Sequence, residues 1–242
     1  TTLKKLLIGF IILFNTTILF GQGKDSAYVV NALIHNYNLM NPIDKEVDQL
    51  VVEFQWDFKS HPMVMGLEKE NGIWKMAIAP VRASIGRSGS IGNYGKNGEL
   101  GKREGDGYTP EGFFKLGQLF SYDSIVPTEL SHIVVNKEDK WIDDSASDDY
   151  NKYIRGATTA KSYEHLLLKS IDYKYCMVIE YNTDPVVKGK GSAIFFHIAT
   201  EDYKPTSGCI AIAEKDMLAF LNWLKPNTQK AIAIQGVFIE VD

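Results

Sequence analysis

Two residues that could carry covalent chemistry stand close together in this chain, His197 and Cys209, at the ends of a short excursion between apolar segments. A thiol becomes a strong nucleophile on losing its proton, and an imidazole within reach is the base that removes it. The stretch from Gly189 to Ile212 reads GKGSAIFFHIATEDYKPTSGCIAI. Ala193, Ile194, Phe195 and Phe196 make an apolar run of strand length that delivers His197 at its end. Pro205, Thr206, Ser207 and Gly208 then form a turn that presents Cys209 just before a second apolar patch, Ile210 to Ala213. Backbone N–H groups in such a turn, those of Gly208 and Cys209, are placed to stabilise an oxyanion, and glycine lets that backbone approach a substrate closely.

The other candidate chemistries are weaker. None of His35, His61, His132, His165 and His197 stands at a zinc-ligand spacing, and Cys176 and Cys209 are 33 positions apart, so the sequence calls for no metal. Asp143, Asp144, Asp148 and Asp149 read as a solvated acidic loop. Six glycines from Gly86 to Gly101 recur at a period of three but lack the proline of collagen, and the stretch lacks the residues of a phosphate loop, so it reads as a long loop. No cofactor is expected.

A chain of 242 residues with 45% hydrophobic and 23% charged residues can bury a full core. Its formal charge of −4, with no basic block beyond the first residues, argues against nucleic acid as a partner. Residues 1–23 carry Lys4 and Lys5, an apolar run from Leu6 to Phe14, and small or polar residues at Gly21 to Gly23. That layout is a secretory signal peptide, and Asn15, Thr16 and Thr17 interrupt it too early for a spanning helix. The expected location is the periplasm or cell envelope, with no membrane span after cleavage. Export puts both cysteines in an oxidising compartment. Three readings follow: a Cys176–Cys209 disulfide, a free and functional Cys209, or two inert thiols.

The elements that must position the pair are mostly strands. Residues 24–48 read as a lead-in segment with a weak helical pattern. From Gln49 the residues Val52, Phe54, Trp56 and Phe58 alternate with Glu53, Gln55 and Asp57, predicting a strand with one buried face. Ile73 to Val81, Ile133 to Val135, Trp141 with Ile142, Tyr173 to Tyr181, and Ala231 to Val241 read as further strands, and Phe113 and Phe114 as a strand start. Helices are expected over Ala160 to Lys169 and over about Glu214 to Lys225, the second with Met217, Leu218, Leu221 and Leu224 as its apolar stripe and Pro226 as its stop. The balance predicts a mainly β sandwich or barrel-like fold with a few peripheral helices.

At these residues the chain resembles the YkuD-type L,D-transpeptidase catalytic domain. GKGSAIFFH (Gly189 to His197) and TSGCIA (Thr206 to Ala211) are similar to its active-site region. GDGYTPEG (Gly105 to Gly112), WIDD (Trp141 to Asp144) with Tyr150 and Asn151, and WLKP (Trp223 to Pro226) resemble other segments of it in the same order. The resemblance covers roughly residues 49–242 and implies a β-sandwich domain acting on peptidoglycan stem peptides. It implies that Cys209 attacks the carbonyl of the L-centre of diaminopimelate in a tetrapeptide stem, releasing D-alanine and leaving a thioester, which a neighbouring stem's amine then takes. His197 would be the general base and acid, oriented by a backbone carbonyl, and the Gly208 and Cys209 backbone the oxyanion site. Two positions depart from the better-known members: Ser207 replaces a second histidine, and Ala211 replaces an Arg or Asn. With that cation absent, substrate contacts fall to Thr206 and Ser207 and to a substitute cation, Arg155 or Lys190, with Arg82, Arg87 and Lys204 as further candidates. Water as the acceptor would make the protein a carboxypeptidase or amide hydrolase, and a stapled Cys176–Cys209 pair would make it a non-catalytic wall-binding module. The oligomeric state is left open.

Overall fold

The computed structural model describes residue 30 and residues 46–55, 60–92 and 101–238. The signal-peptide reading, most of the lead-in segment, Trp56 and Phe58 lie outside the described residues. Fourteen strands and one helix are seen among the described residues with defined bounds. The principal sheet is built from β1 (Val47–Gln55), β2 (Met63–Glu70), β3 (Ile73–Ser84), β6 (Gly112–Ser121), β7 (His132–Val134), β11 (Tyr175–Ile179), β12 (Phe195–Ile198), β13 (Ile210–Ile212) and β14 (Gln229–Phe238). Its order is β11-β12-β13-β3-β2-β1-β14-β6-β7, and β11 also pairs with β6. The sheet therefore folds over and closes through that pairing, enclosing the largest core cluster between its walls and helix α1 (Glu214–Trp223). Closure removes most of the exposed edge that a long sheet would otherwise present. A mainly β architecture is what the alternating apolar patterns lead one to expect.

Helix α1 lies against the sheet through Met217, Phe220 and Leu221, spaced as one helical face requires. Glu214 and Asp216 in its first turn complement the positive end of the helix. Gln49 of β1 ties down the other end: its amide donates to the Trp223 carbonyl at 3.0 Å and its oxygen accepts from Lys225 N at 2.8 Å and the Thr228 hydroxyl at 2.9 Å.

Two further layers cover the outside of the sheet. Leu50, Val52, Phe54, Met65, Leu67, Ala231 and Ala233 form a second cluster with Val30. A third lies over β11 and β12, where a small sheet of β8 (Asp139–Ile142), β9 (Tyr153–Arg155) and β10 (Tyr163–His165), ordered β10-β8-β9, supplies Trp141 and neighbouring apolar groups. The remaining pair, β4 (Ser90–Ile91) and β5 (Thr109–Pro110), fixes the loop beneath the Cys209 turn.

Two expectations are corrected. Ala160 to Lys169 holds no helix; Tyr163–His165 instead pairs with β8, Tyr163 opposite Ile142 and His165 opposite Lys140. Leu166, Leu167 and Leu168 are consecutive, so they cannot form one face of a helix, and only Leu166 of the three is fully buried. Strand β1 does not have one wet face either, because Gln49 and Glu53 are as buried as the apolar residues between them.

Glu53 carries a consequence. Burial, with the like charge of Glu111, pushes its carboxyl up to about 8, and the backbone N–H groups of Gly236 and Gln235 offset only part of that. Between the carboxyl's unfolded value and about pH 8 the folded state holds a proton that the unfolded chain has released, so stability falls as pH rises through this window. Glu53→Gln is expected to flatten that slope and to be the more stable protein above pH 8, read from urea unfolding at pH 5, 7 and 9.

Candidate active site

Strands β12 and β13 run parallel, with Phe196 opposite Ile210 and His197 opposite Ala211. Side chains alternate along each strand, so Phe196 and Ile198 enter the central core while Phe195 points to the outer cluster that also holds Cys209. His197 follows Phe195 on that same outer face. Topology thus brings the histidine and cysteine to one side of the sheet, and both line a cavity of about 390 Å³.

The turn before Cys209 is fixed from several directions. Thr206 accepts from Arg87 N and donates its own N–H to the Ile85 carbonyl, both at 2.8 Å. Its hydroxyl donates to the Cys209 carbonyl at 2.6 Å and accepts the Gly208 N–H at 3.1 Å. Gly208 has φ of 147°, and a Cβ there would stand 2.9 Å from the Tyr108 carbonyl oxygen, so this position has no room for a side chain. The Gly208 amide is engaged by the Thr206 hydroxyl in this state.

The sulfur is held by backbone. Sγ donates to the Ala193 carbonyl at 3.3 Å and accepts from the Phe195 N–H at 3.4 Å. Ala193 sits at φ of 53°, an uncomfortable angle for a residue with a Cβ. Asn151 holds it there: its Oδ1 accepts from Ala193 N at 3.1 Å and from Trp141 Nε1 at 2.8 Å, while Nδ2 donates to the carbonyls of Tyr181 and Asn182. One buried amide therefore fixes the wall against which the thiol rests.

His197 Nδ1 lies 2.9 Å from the Ile198 carbonyl. Donation to that oxygen leaves the lone pair on Nε2, the tautomer a base needs. A backbone carbonyl orients the ring, in the manner the resemblance implies. Tyr173 packs edge-on against His197, ring centres 5.1 Å apart, and donates to Glu164 at 2.5 Å. Desolvation lowers the His197 pKa, with the Ile198 carbonyl opposing it, and desolvation pushes the Cys209 thiol up to about 12, the Phe195 N–H and Lys102 pulling it back. The resting pair is neutral thiol and neutral imidazole, and no hydrogen bond joins the two.

The cavity wall carries Arg87 and Lys102 near the turn, and Glu104, Asp143 and Glu164 toward the small sheet. Thr206 and Ser207 line it, and Arg87 donates to Ser207 Oγ at 3.2 Å. Arg155 is not among the lining residues. Its guanidinium grips the buried Asp139 at 2.6 and 2.9 Å and reaches the Val134 carbonyl, so it stabilises the small sheet. Lys190 is also off the cavity, exposed on a turn whose carbonyl accepts from the Tyr181 hydroxyl, and Arg82 stacks over Tyr203. Both cysteines are free and buried in this structure. Lys102, Tyr173 and Glu164 are site residues that spacing did not flag, because each reaches the cavity from a distant segment. Asn151 carried a signal only through its place in the resemblance.

The family model of the YkuD L,D-transpeptidase catalytic domain matches residues 55–234. Among solved structures, an L,D-transpeptidase from Stackebrandtia nassauensis is similar at 11% identity with a TM-score of 0.34. That match covers 79% of this chain and 57% of the other, so the chain spans little more than half of that structure's length. No curated protein matches the sequence.

Asn151→Ala is expected to destabilise the fold by about 2–4 kcal/mol in urea unfolding, since it leaves the buried Ala193 N–H and Trp141 N–H unpaired at once. Iodoacetamide is expected to alkylate Cys209 slowly at pH 8, at a rate still climbing at pH 10, because the thiolate is a minor species there. A rate that plateaus below pH 8 would show a thiol already ionised in the resting protein.

Proposed function

The chain belongs to the L,D-transpeptidase catalytic-domain family, and from that premise we propose that it is an exported, peptidoglycan-modifying cysteine acyltransferase. The observation that carries this reading is that Cys209 and His197 line one cavity from the same side of the β12–β13 pair. The reading takes residues 1–23 as an export signal and residues 49–242 as the catalytic domain. Neither cofactor nor metal enters it.

The chemistry follows from the two side chains. A donor stem peptide places its scissile carbonyl at Sγ, and His197 Nε2 takes the thiol proton as the sulfur attacks. The negative charge moves to the carbonyl oxygen, where the Cys209 amide meets it. The imidazolium returns its proton to the departing amine of D-alanine, the C–N bond breaks, and a thioester remains. An incoming amine then loses a proton to His197 as it attacks the thioester, and the sulfur leaves as thiol with that proton. The first half-reaction leaves a neutral His197 beside the thioester, and the second restores the neutral thiol and imidazole.

Neutral partners make the first proton transfer unfavourable in the empty site. The pull of Lys102 and the Phe195 N–H on the sulfur already acts in the empty site, so interactions that arise with the substrate must supply the difference. This arrangement guards an extracytoplasmic thiol, since thiol rather than thiolate is exposed to oxidants between turnovers.

Purified muropeptides with tetrapeptide stems are the direct test. The wild-type protein is expected to release D-alanine and form cross-linked dimers, and Cys209→Ala to form none, a loss of at least about 10³-fold as expected for a covalent nucleophile. Turnover by Cys209→Ala would overturn the reading, and shortened monomers without dimers would move the acceptor from an amine to water.

A further inference from the structure

Lys102 is a charged side chain with only 4% exposure on the wall of the Cys209 cavity. A buried ammonium is costly unless paired, and Asp106 Oδ1 pairs it at 2.6 Å. Asp106 is braced in turn by the N–H groups of Arg103 at 2.6 Å and Tyr108 at 3.0 Å. The lysine stem threads between two glycines of the active-site stretch. A Cβ on Gly191 would stand 2.9 Å from Cε, and one on Gly208 would stand 3.7 Å from Nζ. The missing side chain at Gly191 makes room for the stem, and the ammonium comes to lie against Gly208, which immediately precedes the cysteine.

An ammonium has three protons to donate. Asp106 takes one, and the Arg103 carbonyl at 3.4 Å is a weak partner for a second. A third is left for a ligand. The other cations at the cavity are differently placed: Arg87 is exposed and already committed to Ser207 and the Gly105 carbonyl, and Lys204 is exposed on the rim.

Resting on the acyl-transfer reading, we propose that Lys102 is the specificity residue of the donor site: its braced ammonium receives the C-terminal carboxylate of the donor peptide, one residue beyond the carbonyl that Cys209 attacks. Successive residues of a peptide are about 3.8 Å apart, so an anion one residue past the scissile bond falls within reach of a cation beside Gly208. A donor whose terminus is blocked as an amide loses a charge-assisted bond and leaves the ammonium facing a neutral group. Lys102 thus occupies the part left vacant by Ala211, from a different segment of the chain.

The test pairs a tetrapeptide stem ending in free D-alanine with its C-terminal carboxamide. Binding of each to full-length Cys209→Ala is measured by calorimetry, and turnover of each by wild type. Wild type and Cys209→Ala are expected to prefer the acid by about 10- to 100-fold, in kcat/KM and in Kd respectively. Lys102→Gln removes the preference by weakening the acid alone, and Lys102→Arg restores part of it. Equal handling of acid and amide by the protein with Lys102 intact overturns the proposal without any variant having to fold. So does a preference that survives Lys102→Gln, or one that Arg87→Gln abolishes instead. Acid-selective binding without turnover by wild type would leave Lys102 in place while overturning the acyl-transfer reading, and binding of neither peptide would overturn both.

Discussion

The parallel register of β12 and β13 is the constraint on which the site depends. With Phe196 opposite Ile210, the histidine and the cysteine fall on the outer face of the sheet, and the alternate residues fill the closed core. A slip of one residue in either strand would carry one of the pair into that core and expose a large apolar group in exchange. Phe196, Ile198, Ile210 and Ile212 are each buried to within about 1%. At roughly 2 kcal/mol or more for each such side chain, the core face holds the register far more strongly than the polar face could disturb it. The chemistry is positioned by residues that take no part in it.

A parallel pair also needs a crossover, and here the crossover forms one wall of the cavity. Residues 199–209 leave β12, and Thr206 anchors to the Ile85–Arg87 segment before the chain re-enters as β13. On the far side, Asn151 fixes Ala193 in an angle that its own backbone would avoid. The thiol is therefore confined between a crossover pinned by hydroxyl and backbone bonds and a strand approach pinned by one amide. Confinement excludes water, and exclusion of water is why the imidazole and the thiol both rest neutral. Preorganisation and suppressed ionisation are here two results of the same burial.

Much of this was legible in the residues, and the failures have a common cause. The apolar run 193–196, the turn with its glycine and the stripe of the final helix are local patterns set by local sterics and burial, and each reappears as an element near its expected place. Glu53 misled because polar residues spaced by an even number usually mark a wet face. Here the principal core, which takes Val51 from that same face, covers it, and Gln49 answers to the end of a helix more than 170 positions away. Arg155 misled for the converse reason, since its partner Asp139 becomes adjacent only once β8 and β9 pair. Alternation in sequence reports one neighbour shell, whereas burial on the second face and the choice of ion-pair partner are decided by contacts between distant segments.

The same limit explains why the cation of the site was sought in the wrong places. A substitute for the Arg or Asn missing at Ala211 was sought among Arg82, Arg87, Arg155, Lys190 and Lys204, yet exposed side chains such as Lys190 and Arg82 are free to turn toward solvent or an aromatic ring. A charge that must meet a substrate in a desolvated cavity has to be held there beforehand, which requires a counter-ion on its far side and space along its stem. Asp106 supplies the first, and Gly191 supplies the second. Gly191, which no motif reading singled out, is the space through which a lysine from another loop reaches the turn before Cys209. An absent side chain of this kind acquires a meaning only when the group that fills its place is in view.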